Sequence, residues 1–241
     1  MTPTSPLAID LFCGLGGWAE GLLAEGWRVV GFDIEQHDYG TGGYPGQLVL
    51  QDVTTLHGSQ FRNASLIVAS PPCQAYSYRA MPWKRAKALP PPDNTLFDAC
   101  FRIQREACEA AGRHIPLIVE NVRGAVKWVS QPMKWHFGSY YLWGDVPALM
   151  PITLQAQASK VGGTELSGAN SGTKVCEDDE GRKNPNPGTW FGSYAEQKER
   201  GTISPGRLYS SKSNSRKAAS AMIAKIPLPL ARHIARTFKP Q

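Results

Sequence analysis

The chain has 241 residues, enough to bury one substantial α/β core with a small appended lobe. Hydrophobic residues at 41% and charged residues at 19% exclude a disordered chain, and a net charge of +6 favours a polyanionic partner without requiring one. The five cysteines are irregularly spaced without a CxxC pair, and no basic leader or membrane-length apolar run is present, so the expected protein is cytoplasmic, metal-free and neither exported nor membrane-spanning.

In chain order, residues 7–12 form a short apolar run that stops at glycines, as a buried strand does. Residues 17–25 have helical spacing. Residues 28–33 are a second strand with β-branched Val29 and Val30, and residues 47–50 are a third, leading into Asp52. Residues 66–69 are a fourth strand, halted by Pro71-Pro72. A helix is predicted over 94–111, with Asp93 or Asn94 as its cap and Gly112 as its stop. Residues 117–119 are a fifth strand. Strands alternating with helices predict a doubly wound, mostly parallel sheet. Residues 155–217 change character: they are rich in Gly, Ser, Asn and Thr, with an acidic run at 177–180 and a basic stretch from 198, and are read as a small loop-rich region. Residues 218–241 regain apolar spacing and end in a closing helix around 229–234. The predicted organisation is therefore a main domain over 1–154, a small lobe over 155–217, and a return to the main domain.

The turn Asp10-Leu11-Phe12-Cys13-Gly14-Leu15-Gly16-Gly17 joins a strand to a helix. Its glycines permit a tight bend and close approach of a ligand to the backbone, and the helix start behind it favours negative charge. The spacing is not GxGxxG, so a nicotinamide dinucleotide site is disfavoured. Asp33 and Asp52 end the second and third strands, where acidic groups can meet ribose hydroxyls and an adenine amino group. The same pattern also suits a tight turn flanked by two solvated aspartates.

Cys73 follows a buried strand and two prolines that stiffen the turn, which holds a thiol at the carboxyl edge of the sheet. Glu120 directly follows the Leu117-Ile118-Val119 run, where partial burial raises a carboxyl pKa. A lone glutamate there is more often a solvated or capping group. A thiol and a protonatable carboxyl at the ends of neighbouring strands point together to covalent chemistry with acid assistance.

Taken in order, Asp10 to Gly17, Pro71-Pro72-Cys73-Gln74-Ala75-Tyr76-Ser77 and Glu120-Asn121-Val122 resemble the motif set of the cytosine C5-methyltransferase family. The likeness is firm over residues 7–125, weaker over 126–151, and returns in part at 218–235. There Ile226-Pro227-Leu228-Pro229-Leu230-Ala231 is similar to the family's last motif, which completes the cofactor pocket. The resemblance implies a Rossmann-like methyltransferase fold with a small recognition insertion. It implies S-adenosylmethionine as cofactor, held by Phe12, Cys13, Gly14, Leu15, Gly16, Gly17, Asp33, Ile34, Asp52, Val53, Pro72 and Ile226. It makes Cys73 the nucleophile at cytosine C6 and Glu120 the acid at N3, with Asn121 holding the loop and Pro72 lining the pocket. The substrate it implies is DNA, duplex or single-stranded, with the target base flipped out. Gln74, Ser77, Tyr78, Arg79, Lys84 and Arg85 would form the loop that closes over that base, and Arg216 and Lys217 would meet phosphates. A monomer is expected.

Two features depart from the family pattern. The Gln-x-Arg-x-Arg motif is absent: residues 131–144 contain no arginine, leaving Lys134, His136 or the later Arg216 as substitutes. The asparagine of the last motif is also missing, with Ala224 nearby. Such departures resemble compact, bacteriophage-type members. An RNA cytosine methyltransferase and a non-catalytic nucleic-acid-binding protein are the alternatives, and intact Cys73 and Glu120 argue against the second.

Overall fold

The structure is a computed structural model that describes residues 5–38, 42–77, 90–150, 221–222 and 224–240. The predicted lobe over 155–217 lies outside the described residues. Seven strands form one sheet in the order β3-β2-β1-β4-β5-β7-β6. β1 (Leu7–Leu11), β2 (Arg28–Asp33), β3 (Gln47–Leu50), β4 (Leu66–Ala69) and β5 (Leu117–Asn121) are parallel. β7 (Tyr140–Gly144) runs antiparallel to β5 and to β6 (Trp135–Phe137). The sequence reading missed the β6–β7 hairpin. One of its strands has only three residues, too few for a period-2 pattern to register.

The strands carry an apolar side chain on both faces, as parallel strands covered on both sides must. Ile9, Ile67, Leu117 and Val119 face one layer, with Phe97, Ile103 and Ala107 of α2 (Thr95–Ala111). Ala8, Val68, Ile118 and Leu142 face the other, with Trp18 and Leu22 of α1 (Gly17–Ala24) and Leu230 and Ile234 of α3 (Leu228–Phe238). Gly112 ends α2 in the left-handed conformation, φ 64°. β5 runs two residues past its predicted end, so Glu120 and Asn121 belong to the strand rather than to the loop beyond it.

α1 contains Gly17 and Gly21, each weakening a helix by about 1 kcal/mol relative to alanine. Packing explains the choice. A Cβ on Gly17 would lie 2.5 Å from the Ile226 nitrogen, and one on Gly21 would lie 2.3 Å from the Ala231 Cβ. The glycines let the chain entering α3 press directly on α1, and Trp27 donates to the Ala235 carbonyl at 3.1 Å to close the contact. This joins the end of the chain to the helix that follows the glycine turn.

Gly21→Ala therefore loses stability despite its better helix propensity, because overpacking costs about 1–3 kcal/mol in a dense contact. Urea unfolding of the two proteins measures the sign.

Candidate active site

The parallel register sets Leu11, Phe32, Ala69 and Val119 in one row, with Asp33 beside Leu50 one step further along. The chain leaves the sheet just past this row, so the five parallel strands deliver their following turns to one edge.

After β1 the backbone bends through three left-handed residues: Phe12 (φ 56°), Gly14 (φ 49°) and Gly16 (φ 74°). Phe12 is the one non-glycine residue with positive φ among the described residues, a conformation that costs on the order of 1 kcal/mol. Among the described residues, a Cβ on Gly14 would have no neighbour within 4 Å, so the turn is open to them there. The Asp33 carboxylate holds this turn: Oδ2 accepts from the Gly14 N–H at 2.9 Å and Oδ1 from the Ile34 N–H at 2.8 Å.

Under the turn lies a residue that the sequence reading passed over. Asp10 is fully buried, and its Oδ2 accepts from the Tyr44 hydroxyl at 3.1 Å. Its Oδ1 has no hydrogen-bond partner among the described residues. Burial pushes its pKa well above the carboxylate range and the charge of Asp33 adds to that, while the Tyr44 hydroxyl opposes it. Tyr44 fits over Gly31, where a Cβ would come within 2.4 Å of the ring.

At the neighbouring edge, Ile34 and Leu50 are 72% and 58% exposed, an uncovered apolar pair beside Asp33. Leu50 was not foreseen, because a strand-ending leucine reads as core. Asp52 caps the 3-10 turn Val53–Thr55, its Oδ1 accepting from the Thr54 N–H at 2.8 Å. Cys13, Leu15, Val53 and Ile226 are buried, and the Cys13 backbone is engaged at both ends, its N–H donating to the Phe32 carbonyl at 3.2 Å and its carbonyl accepting from the Gly16 N–H at 2.8 Å.

Among the described cysteines none is in a disulfide. Burial, with the nearby charges of Asp10 and Asp33, pushes the Cys13 thiol far up, and burial does the same to Cys100. Cys108 accepts from the Ile115 N–H at 3.2 Å inside the end of α2. Cys73 differs: it is half-buried in the turn after β4, between exposed Pro72 and exposed Gln74. Buried Asn121 donates from Nδ2 to the Pro71 carbonyl at 2.9 Å and accepts from the Val122 N–H at 2.8 Å. Trp18 on α1 donates to the Ser70 hydroxyl at 3.0 Å. Glu120, next to Asn121, is buried on the opposite face of β5, paired across the sheet with Leu142. The hydroxyl of Tyr140, on the same face, is raised by burial and then by the charge of Glu120.

Ser77 is exposed, whereas Tyr78, Arg79, Lys84, Arg85, Arg216 and Lys217 lie outside the described residues. Lys134 and His136 are exposed on the β6 side, with His136 stacked on Tyr141 at 4.9 Å. Arg123 and Lys127, on the 3-10 turn directly after β5, are basic residues at this edge that the sequence reading did not single out. Among the described residues no group of His, Cys, Asp and Glu is arranged to hold a metal ion, and no helix is long and apolar enough to cross a membrane.

A family model for the C-5 cytosine-specific DNA methylase matches residues 7–132, just over half of the chain. The chain belongs to this family. Its sheet, parallel apart from the β6–β7 hairpin, has the Rossmann-like arrangement of S-adenosylmethionine-dependent methyltransferases. Solved structures similar to it include a putative DNA modification methyltransferase encoded within an E. coli prophage, 28% identical with a TM-score of 0.36, covering 50% of this chain and 33% of that one. The S. pombe Dnmt2 methyltransferase is 13% identical with a TM-score of 0.49, covering 97% of this chain and 98% of that one. The Pyrococcus abyssi tRNA (uracil-54, C5)-methyltransferase in complex with S-adenosyl-L-homocysteine is 14% identical with a TM-score of 0.33, covering 58% and 34%. Comparison with curated protein sequences finds no significant match.

The buried Asp10 carboxyl gives the folded protein a distinct pH signature. Its raised pKa means that the folded state keeps a proton which the unfolded chain releases, so this part of the stability is full at low pH. It is lost as pH rises from the ordinary carboxylate range through the folded value. Asp10→Asn, which cannot ionise, removes that decline, and urea unfolding of both proteins over a pH series shows it as a stability difference that shifts toward the variant as pH rises.

Proposed function

We propose that the protein transfers a methyl group from S-adenosylmethionine to C5 of cytosine in DNA, through a covalent bond between Cys73 Sγ and C6 of a base turned out of its stack. The observation that carries this reading is the buried Asn121–Pro71 hydrogen bond. It ties the turn bearing Cys73 to the strand bearing Glu120, at the edge where the glycine turn also opens.

The residues present fit the cofactor. The open turn at Gly14 leaves room for its amino-acid end, and the partnerless buried Oδ1 of Asp10 suits a cationic group such as an α-ammonium. Asp33 Oδ2, which accepts from the Gly14 N–H, has a lone pair left for a ribose hydroxyl. Exposed Ile34 and Leu50 offer an apolar surface to a flat base. When bound, S-adenosylmethionine supplies an electrophilic methyl group.

Cytosine C5 is a poor nucleophile until C6 is substituted. Cys73 supplies the electron pair: its thiolate adds to C6, and density moves to C5. Glu120 in its protonated form donates to N3 and offsets the charge that the addition creates. C5 would then take the methyl, leaving S-adenosylhomocysteine; water would take the C5 proton, the electron pair of that bond would re-form C5=C6, and the Sγ–C6 bond would break to restore the thiolate. Half-buried Cys73 is reachable by such a base, whereas Cys13 and Cys100 are held protonated inside the core. The family model, a DNA methylase, favours DNA as the polymer.

Labelled S-adenosylmethionine offered with duplex DNA, single-stranded DNA and tRNA tests the reaction and the polymer together. Label is expected in DNA cytosine, and label confined to tRNA would transfer the same chemistry to RNA. Cys73→Ser is expected to form no adduct with DNA containing 5-fluorocytosine. Glu120→Gln is expected to slow single-turnover methyl transfer by about 10²–10⁴-fold, the range of general acid catalysis. Label incorporation at the wild-type rate in Cys73→Ser would overturn the covalent route.

A further inference from the structure

Asn94 occupies the N-cap position of α2, where an asparagine side chain ordinarily accepts from the second or third N–H of the helix. Here it makes no such bond. The neighbouring Asp93 takes that work, accepting from the Thr95 N–H at 2.8 Å and the Thr95 hydroxyl at 2.6 Å. The Asn94 side chain is turned to two other groups. Its Oδ1 accepts from the Tyr76 hydroxyl at 2.8 Å, and its Nδ2 donates to the Trp128 carbonyl at 2.8 Å.

Tyr76 stands three residues after Cys73, and its N–H donates to the Cys73 carbonyl at 3.0 Å. Its ring is buried, and burial pushes its hydroxyl pKa up to about 12, so it stays a donor. Its backbone also meets the segment after Glu120. A Cβ on Gly124 would come within 2.1 Å of the Tyr76 carbonyl oxygen, a contact open to glycine alone. Asn121 grips the turn at Pro71, two residues before Cys73, and the Tyr76–Asn94–Trp128 relay grips it three residues after. The first grip comes from Asn121, the last residue of β5 after Glu120, and the second from the stretch that follows β5.

We propose that Tyr76 and Asn94 are positioning residues that set the Cys73 thiol relative to Glu120 through this hydrogen-bond relay. The proposal rests on the reading of Cys73 as nucleophile. Neither residue touches the reacting atoms, and their effect is carried by the geometry of the turn. A misplacement on the order of 1 Å slows an oriented reaction about 100-fold, so a loosened turn registers in the rate before it registers in stability.

The test uses Tyr76→Phe, which keeps the buried ring and removes only the hydroxyl, with Asn94→Ala and the double variant beside it. Three quantities are read: affinity for S-adenosylhomocysteine, the rate of adduct formation with 5-fluorocytosine DNA, and alkylation of Cys73 by iodoacetamide followed by peptide mass spectrometry. Cys13 and Cys100 serve as buried controls in the alkylation. The expected result is unchanged S-adenosylhomocysteine affinity, an adduct rate lower by about tenfold in either single variant, and faster Cys73 alkylation. The double variant should lose no more than the worse single one, because the two groups share one relay. Wild-type adduct and alkylation rates in Tyr76→Phe would overturn the proposal. A wild-type protein that forms no adduct and transfers no methyl would sink the nucleophile reading alone. In that case unchanged Cys73 alkylation in Tyr76→Phe still overturns the positioning role, and faster alkylation upholds it.

Discussion

The site depends on one buried amide, Asn121, bridging the ends of two adjacent parallel strands. Parallel pairing fixes β4 and β5 about 4.8 Å apart, but it does not fix the turns that leave them. The Pro71-Pro72 pair narrows the first turn by restricting φ, and the hydrogen bond from Asn121 to the Pro71 carbonyl sets its direction. Losing that amide would leave a buried carbonyl unsatisfied, which costs about 1–3 kcal/mol, more than the net worth of an average hydrogen bond. The bond is therefore hard to dispense with once the turn is packed, and everything bound at the strand ends inherits its geometry.

The glycine turn is built on the opposite principle. Its chain is strained at Phe12, and beneath it lies a buried carboxyl with an oxygen that the described residues do not satisfy. Such costs persist only where the surroundings over-determine the conformation. The surroundings here are α1 and the returning α3, pressed together through Gly17 and Gly21. The ion pairs between these segments, Lys225 with Glu20 and Arg232 and Arg236 with Glu25, each have one solvent-exposed partner and contribute little. Burial of Trp18, Leu22, Leu230 and Ile234 holds the two helices, and the helices hold the turn. Trp18 then carries the same support to Ser70, ahead of the thiol turn.

These arrangements were unevenly legible in the sequence. The five parallel strands and the long helix announce themselves through apolar runs that stop at glycine, proline or an acidic residue. Cys73 and Glu120 stand out because a thiol on a proline turn and a carboxyl directly after an apolar run are conspicuous. The β6–β7 hairpin was lost because its pairing is with β5, far from it in the chain, and its first strand is too short to show alternation. Tyr44 and Asn94 were illegible for another reason. Tyr44 acts 34 residues from its partner Asp10 and Asn94 acts 18 residues from Tyr76, and no local pattern distinguishes either from a loop tyrosine or an ordinary helix cap.

For the proposed roles of Cys73 and Glu120, placement on separate strands has a physical advantage that a single loop would lack. A nucleophile and an acid on one flexible turn would have a separation that varies with every fluctuation of that turn. On neighbouring strands each is set by the sheet first, and only the short turn bearing Cys73 needs further restraint. Glu120 needs none of its own, since it lies within β5 and is paired with Leu142. The restraint on the Cys73 turn comes from the polypeptide immediately around Glu120: the Asn121 amide on one side, and Gly124 with the Trp128 carbonyl on the other. The segment around Glu120 is thus the ruler against which the Cys73 turn is placed.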